Sequence, residues 1–567
     1  MTEALSDHGA GTAQAISAGQ VNHLPIVAHF MRRLGLVEIV NGLVKTQMEV
    51  EPGLIVFGLV LDTLSGRSPL YHLQTAFEDC DRALLFGQEL PAEYFNDDNV
   101  GRMLDCLFAT GTQRIFSALS VRALERFPVS THHAHFDTTS VSVYGDYLAA
   151  QGEQAPFSIA HGYSKDKRPD LKQFVLSLLC VDGNVPILGK LEDGNASDKT
   201  INRHLLGEVG GHLQKHGVGE DAFIYIADSA MVTEANLAQT AERTRFITRL
   251  PASYNEHERV ILDAIAADDW EDVGPIAQTA PTKNRPGASY RVHAGAVKLY
   301  DKDYRAVVVH SSAHDQRRQK RLERELRASR EQIEQVAKAG TKKIFFCRPD
   351  AEAAAVEVRA TSSAYHQLDV RVEERPRYGP GRPKKGVPRI PVAIDYVLSI
   401  EIDEKRGEIE KRRQLAGCFV LLSNVPDQEQ GGYSAERILR TYKEQNAIEK
   451  NFGFLKDDQI VNALFLKRPE RIEALGLILL ISLLIWRLIE LVMRTELKAR
   501  EATVPGWDNK PTARPTAYMV TWKFKGVLIL CVDGHRLLAK PLTDTQHAFL
   551  QALQVPASCF TRYPRDG

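Results

Sequence analysis

HAHFDTTSVSVYG, residues 133–145, alternates along its length, and that period of two marks a β-strand with one acidic residue, Asp137, in its middle. Two short runs follow, FVLSLLCV (174–181) and VPILGKLE (185–192), rich in apolar and β-branched residues. A helix is expected from about Thr200 to His216. FIYIAD (223–228) reads as a buried-type strand, VTEANLAQTAER (232–243) as a helix, and RFITRL (245–250) as a further strand.

The resulting order is β-β-β-α-β-α-β. It is the layout of a ribonuclease-H-like core: three antiparallel strands, then parallel strands joined by helical crossovers. The fold class expected is therefore α/β. Residues 1–20 read as disordered and 21–127 as a helical N-terminal domain that could bind DNA. Two short helices flank Gly35 there, as in a helix-turn-helix or in a plain helical packing module. The core occupies 128–253 and resumes over 416–460, with a mixed strand and helix insertion at 254–415. Within the insertion, Leu322, Leu326, Ile333 and Val336 sit at near-heptad spacing on a charged helix, predicting a coiled pair. RVEERPRYGPGRPKKGVPR (371–389) reads as a loop, and 461–567 as a helical C-terminal region.

Composition bounds the function. The chain has 567 residues, 44% hydrophobic and 25% charged, with a net charge of −1, so any nucleic-acid contact must come from local basic patches. Seven scattered cysteines without a C-x-x-C argue against a disulfide framework or thiolate zinc site, and fit a reducing cytoplasm. The polar N-terminus shows no signal-peptide pattern. The most apolar run, Ala474–Trp486, is too short at 13 residues to span a bilayer and predicts a buried helix, with no membrane partner.

Two acidic residues fall at strand positions of the core. Asp137 lies in the first strand and Asp228 at the carboxyl end of FIYIAD, where sites form in open α/β sheets. A strand-end Asp also serves as a helix cap, so Asp228 alone decides nothing. In the helix at 442–456, Tyr442, Gln445, Glu449 and Lys456 lie at offsets 0, 3, 7 and 14, which places them on one face. That face is either a solvated polar stripe or a site. Two Asp and one Glu from distant segments suit two Mg2+ ions, with Mn2+ able to substitute. Such ions prefer hard oxygen ligands, and a pair about 3.5–4 Å apart serves phosphodiester chemistry.

HFDTTSVSVYG, GYSKDKRPDLKQ (162–173), IYIADSAMVTEANL and YKEQNAIEKNFGFLK together resemble bacterial insertion-sequence transposases of the D-D-E type, in the group with a Y-R-E-K helix. The resemblance spans roughly residues 20–500 and implies an enzyme that cleaves transposon ends and joins them to target DNA. It implies that Asp137, Asp228 and Glu449 bind the metals, and that Tyr442, Gln445 and Lys456 hold the transposon-end backbone. It further implies a homodimer on double-stranded DNA in the bacterial cytoplasm. Gln445 stands where the family has Arg, so a neutral hydrogen bond replaces a charge-assisted phosphate contact.

Two basic patches offset the neutral total. Lys165, Lys167, Arg168 and Lys172 lie between the first two core strands and could contact phosphate, or form an exposed charged loop. Residues 371–389 hold seven basic residues against two acids, and Arg377, Arg382, Lys384 and Lys385 surround a Gly-Arg-Pro sequence suited to a minor groove or to a solvated linker. Two rival functions remain. One is a metallohydrolase built on His133, His135 and Asp137, which share a strand face. The other is a DNA-binding relic without catalysis.

Overall fold

The computed structural model describes residues 16–563 except 67, 69–71, 148–149, 151–154, 202–222, 241–243, 278–286, 383–387 and 457–465. The chain is mixed α/β and divides into two compact units, Met1–Thr248 with Thr441–Gly567, and Arg249–Arg440.

The first unit opens with β1 (Ile16–Gln20) and helices α1 (Leu24–Leu34), α2 (Leu36–Leu43), α3 (Pro52–Ser65), α4 (Leu73–Glu78), α5 (Arg82–Phe86), α6 (Asp97–Thr110) and α7 (Thr112–Arg126). Its sheet is built from β2 (His133–Val143), β3 (Lys172–Val181), β4 (Val185–Glu192), β5 (Ile224–Ile226) and β6 (Arg245–Arg249), with α8 (Glu234–Thr240) between the last two. The strand order is β4-β3-β2-β5-β6, antiparallel from β2 through β4 and parallel from β2 through β6. Strand β3 is buried at nine consecutive positions from Gln173 to Val181, as a near-continuous apolar run, interrupted after Phe174 by Ser177, requires when both faces are covered.

The second unit contains α9 (Asn255–Ala267), β7 (Glu271–Pro275), β8 (Ser289–Leu299), β9 (Lys302–Ser311), α10 (Ser312–Thr341), β10 (Ile344–Phe345), α11 (Arg348–Ala360), β11 (His366–Arg377), β12 (Ala393–Glu404), α12 (Arg406–Leu415) and β13 (Cys418–Ser423). Strands β13-β9-β8-β7 are antiparallel, so residues on both sides of position 415 share one sheet. The heptad stripe of α10 packs on strands and short helices of its own unit. Ile333 packs with Ala355, Leu368, Val370 and Leu398, and Leu322 with Tyr365 and Ile409, so the expected coiled pair is replaced by the unit's own sheet and helices. Arg371–Arg377 is also not loop: it extends β11 in register with β12, Arg377 opposite Ala393.

The chain returns to the first unit along α13 (Ala435–Glu444), then α14 (Asn446–Leu455), α15 (Pro469–Ala499), β14 (Val504–Pro505), β15 (Pro511–Thr512), α16 (Ala517–Lys523), β16 (Leu528–Val532), β17 (His535–Leu538) and α17 (Asp544–Leu553). Helix α15 runs 31 residues, long and apolar enough to cross a bilayer, so the shortness of Ala474–Trp486 does not by itself exclude a span. It is nevertheless a core helix: 83% of its most apolar window is buried, and it packs against α1, α3, α6, α7 and β4. The C-terminal region is not purely helical, because β16 and β17 form a hairpin. Its turn, Asp533-Gly534, has both residues at positive φ, the geometry this residue pair adopts readily. Strand β1 adds to that hairpin, Gln20 opposite Leu528, so residues 16–20 are ordered by a partner some 500 positions away rather than disordered.

Of the two helices of the helix-turn-helix option, α2 buries only Leu36 and Val40. Gly35 turns the chain at φ 72°, and α1 is buried along most of its length. Its cations are engaged within the fold: Arg32 donates to the Leu84 and Leu85 carbonyls, and Arg33 to that of Arg126.

Candidate active site

Strands β2 and β5 run side by side in parallel, with His135 opposite Ile226. Continuing that register two residues sets Asp137 opposite Asp228. Asp228 lies just beyond the strand, where its Oδ1 accepts from Ala230 N at 3.0 Å and caps the short turn Ser229–Met231. Its backbone carbonyl is fixed by Thr248 Oγ1 at 2.6 Å. Asp137 Oδ1 accepts from Thr138 N at 2.8 Å. Cap and site residue are therefore compatible roles for Asp228.

Burial pushes the Asp137 carboxyl up to about 6, against the pull of Lys165, and the Asp228 and Asp198 carboxylates add to the rise. Asp228 is raised as well, by burial first and then by Asp198. Three acidic groups thus share a partly buried space with one ammonium. Lys165 Nζ donates to Thr138 O at 2.8 Å and lies 3.3 Å from Asp198 Oδ2, while Thr138 Oγ1 donates to Asp198 Oδ1 at 2.6 Å. This deficit of positive charge fits a divalent cation, and Asp137 and Asp228 offer the oxygen ligands that Mg2+ or Mn2+ prefers.

Asp198 carries no signal of its own in the sequence. It stands in the polar segment DGNASDK, where neither period nor spacing marks it.

The helix expected to carry four aligned residues is broken. Gln445 separates α13 from α14, with Gln445 N bonded to Tyr442 O and Ile448 N to Gln445 O, both three residues apart. Gln445 itself keeps right-handed helical dihedrals, φ −55° and ψ −29°, so the chain passes from α13 into α14 through one tighter turn. Glu449 lies exposed in the first turn of α14, and that helix packs against β2. Gln445 Nε2 donates to Phe136 O at 3.3 Å, next to Asp137. Lys456 Nζ pairs with Asp166 at 2.6 Å, which ties the end of α14 to the 162–173 loop.

The loop cations differ in availability. Lys165 is held inside the acidic cluster, Arg168 forms a two-point pair with Asp170, and Lys172 donates to Asp146 O at 2.5 Å. Lys167 is exposed at φ 59°. In the second unit, Arg377 and Arg382 are exposed near the β11–β12 connection, with Arg377 3.7 Å from Asp395 Oδ1. Lys384 and Lys385 lie outside the described residues.

The H-x-H-x-D set divides between two places. Asp137 belongs with Asp228 and Asp198, whereas His133 Nδ1 meets Asp182 Oδ1 at 2.8 Å. His135 is 6% exposed, and burial lowers its imidazole to about 4.

Residues 16–121 match the family model of a domain of unknown function, DUF4277. The match covers β1 through most of α7 and stops short of the acidic cluster. A comparison with curated proteins found no match.

Proposed function

We propose that this chain is a D-D-E transposase whose site is built from Asp137, Asp228 and Glu449. The observation that carries the reading is the approach of Asp137, on β2, and Asp228, just past the end of the neighbouring parallel strand β5, both carboxyls raised by burial and by surrounding acids. The strand order β4-β3-β2-β5-β6, with its antiparallel and parallel halves, supports a ribonuclease-H-like core. The packing of α14 on β2 supports Glu449 as the third carboxylate.

Two Mg2+ ions bound there would activate the attacking oxygen and stabilise the leaving one. The chain's own residues set the stage for that. Lys165 supplies a positive charge beside the acids and fixes the 162–173 loop to β2. Gln445 docks the α13–α14 junction on the strand next to Asp137. Lys456 is placed at the loop, where a DNA phosphate would compete with Asp166 for its ammonium. The partner is double-stranded DNA, both element end and target, held by a homodimer. Incubating the full chain with linear DNA that carries its coding region and flanks, with Mg2+ or Mn2+, should yield discrete cuts at the flanks. Uncut DNA under both metals would remove the enzymatic reading and favour a DNA-binding relic.

Two further expectations arise here. Gln445→Arg adds a cation able to grip phosphate bidentately, so DNA affinity or cleavage should rise. Equal binding and cleavage in the two proteins would sink that role for position 445. Deleting 377–386 removes Arg377, Arg382, Lys384 and Lys385. End binding should weaken, and the slope of log affinity against log salt should fall by about 3 to 4 if all four meet phosphate. Unchanged affinity at physiological salt would refute a DNA contact by this segment.

A further inference from the structure

A second cluster lies on the same strand as Asp137 but apart from the acidic site. One ligating atom each of His133, Asp182 and Glu444 lies within 4.8 Å of the others. The three come from separate elements: the start of β2, the turn between β3 and β4, and the last residue of α13. Asp182 is itself firmly placed. Its Oδ2 accepts from Ser130 Oγ at 2.5 Å and from His132 N at 3.0 Å, while Oδ1 meets His133 Nδ1 at 2.8 Å.

A second imidazole stands beside this group. His135 shares the strand face of His133, their ring centroids 6.4 Å apart, and is 6% exposed. Its Nδ1 is buried without a hydrogen-bond partner, an unmet ring nitrogen of the kind that calls for a ligand.

We propose that His133, Asp182 and Glu444 form a binding site for a borderline first-row divalent cation such as Zn2+, distinct from the Asp137–Asp228 site. The mixed imidazole and carboxylate set favours such an ion over Mg2+, which takes oxygen ligands and keeps much of its water. The role of the site is positional. A cation held by Glu444 and His133 clamps the end of α13 to the start of β2, one residue before the Gln445 break. It thereby fixes the helix that carries Glu449. The inference rests on this geometry and stands whether or not the chain is a transposase.

The test is calorimetric titration of the metal-free full chain with Zn2+ in excess Mg2+, alongside thermal melts. Wild type should bind one Zn2+ that Mg2+ does not displace, with a rise in melting temperature. His133→Ala and Glu444→Gln should each weaken binding by more than about a hundredfold, beyond the roughly 10–100-fold losses seen for outer partners of a metal. The double variant Asp137→Asn/Asp228→Asn should bind this Zn2+ as wild type does. Glu444 faces solvent, so Glu444→Gln leaves the fold intact and keeps the test decisive. Zn2+ binding that disappears in the Asp137→Asn/Asp228→Asn protein and survives in Glu444→Gln would overturn the proposal, as would no binding at all.

Discussion

Asp137→Asn should abolish DNA cleavage and, without metal, make the protein more stable at pH 7.5. Burial holds the Asp137 carboxyl at about 6, against an ordinary value of 3.8. The folded state therefore binds this proton more tightly than the unfolded chain does. Below about pH 3.8 both states are protonated and the group contributes nothing. Between 3.8 and 6 the unfolded chain ionises first, and stability falls as pH rises. Above 6 the full cost is present, about 3 kcal/mol for a shift of this size. Asn removes the charge while retaining an oxygen for Thr138 N. The gain should therefore reach a few kcal/mol at pH 7.5 and vanish near pH 4.

Metal reverses the comparison. An ion that binds only the folded site stabilises wild type, by about 2.7 kcal/mol at a hundredfold excess over its dissociation constant, and should do little for the variant. Losing the electrostatic stabilisation of the reacting oxygens, several kcal/mol, corresponds to about a thousandfold or more in rate. Chemical denaturation at pH 4 and 7.5, with and without Mg2+, checks the stability arm, and flank cleavage checks the other. If Asp137→Asn is less stable than wild type at both pH values without metal, the carboxylate is a structural group and not a ligand.

The strands were legible because each carries a local signal. HFDTTSVSV alternates, and FVLSLLCV is apolar but for Ser177; both are strands, although β2, whose alternation predicts one covered face, has no exposed position and is enclosed much as β3 is. Asp137 and Asp228 could be found because they interrupt or end such runs. The features that escaped depend on contacts distant in sequence. Asp198 enters the acidic cluster only when β4 lies beside β3 and the turn after β4 swings back to Thr138. The break at Gln445 has no glycine or proline to announce it; the Phe136 carbonyl, 309 positions earlier, takes its side chain. The α10 stripe carried the right period but not the identity of its partner, since a sheet with a helix on it covers such a stripe as well as another helix does. ISAGQ is short and weakly patterned, and only the C-terminal hairpin makes it a strand.

Glu490→Ala should destabilise the first unit by about 3–5 kcal/mol, the usual cost of breaking a buried ion pair from one side. Glu490 is 2% exposed on α15, and its Oε2 meets Arg487 at 2.6 Å and Arg494 at 3.0 Å. Its Oε1 accepts from Ala517 N at 3.1 Å. Removing this carboxylate leaves the Arg487 guanidinium withdrawn from water, and the partly exposed Arg494 beside it, with their shared anion gone. The damage reaches the candidate site through Arg487, whose Nε donates to Asn451 Oδ1 at 2.5 Å. Asn451 is fully buried on α14 and donates to Asn184 O and Cys180 Sγ, each at 3.1 Å. The network is the polar bolt between α15, the helix of Glu449 and the strand beside β2. Cleavage should therefore fall in Glu490→Ala even at temperatures where the protein remains folded. Replacing both charges, as in Arg487→Met/Glu490→Met, should cost less than the sum of the two single changes, because neither partner is then left buried alone. Additive losses in urea denaturation of the four proteins would mean that Arg487 and Glu490 act independently, and that the ion pair plays no part in holding α14.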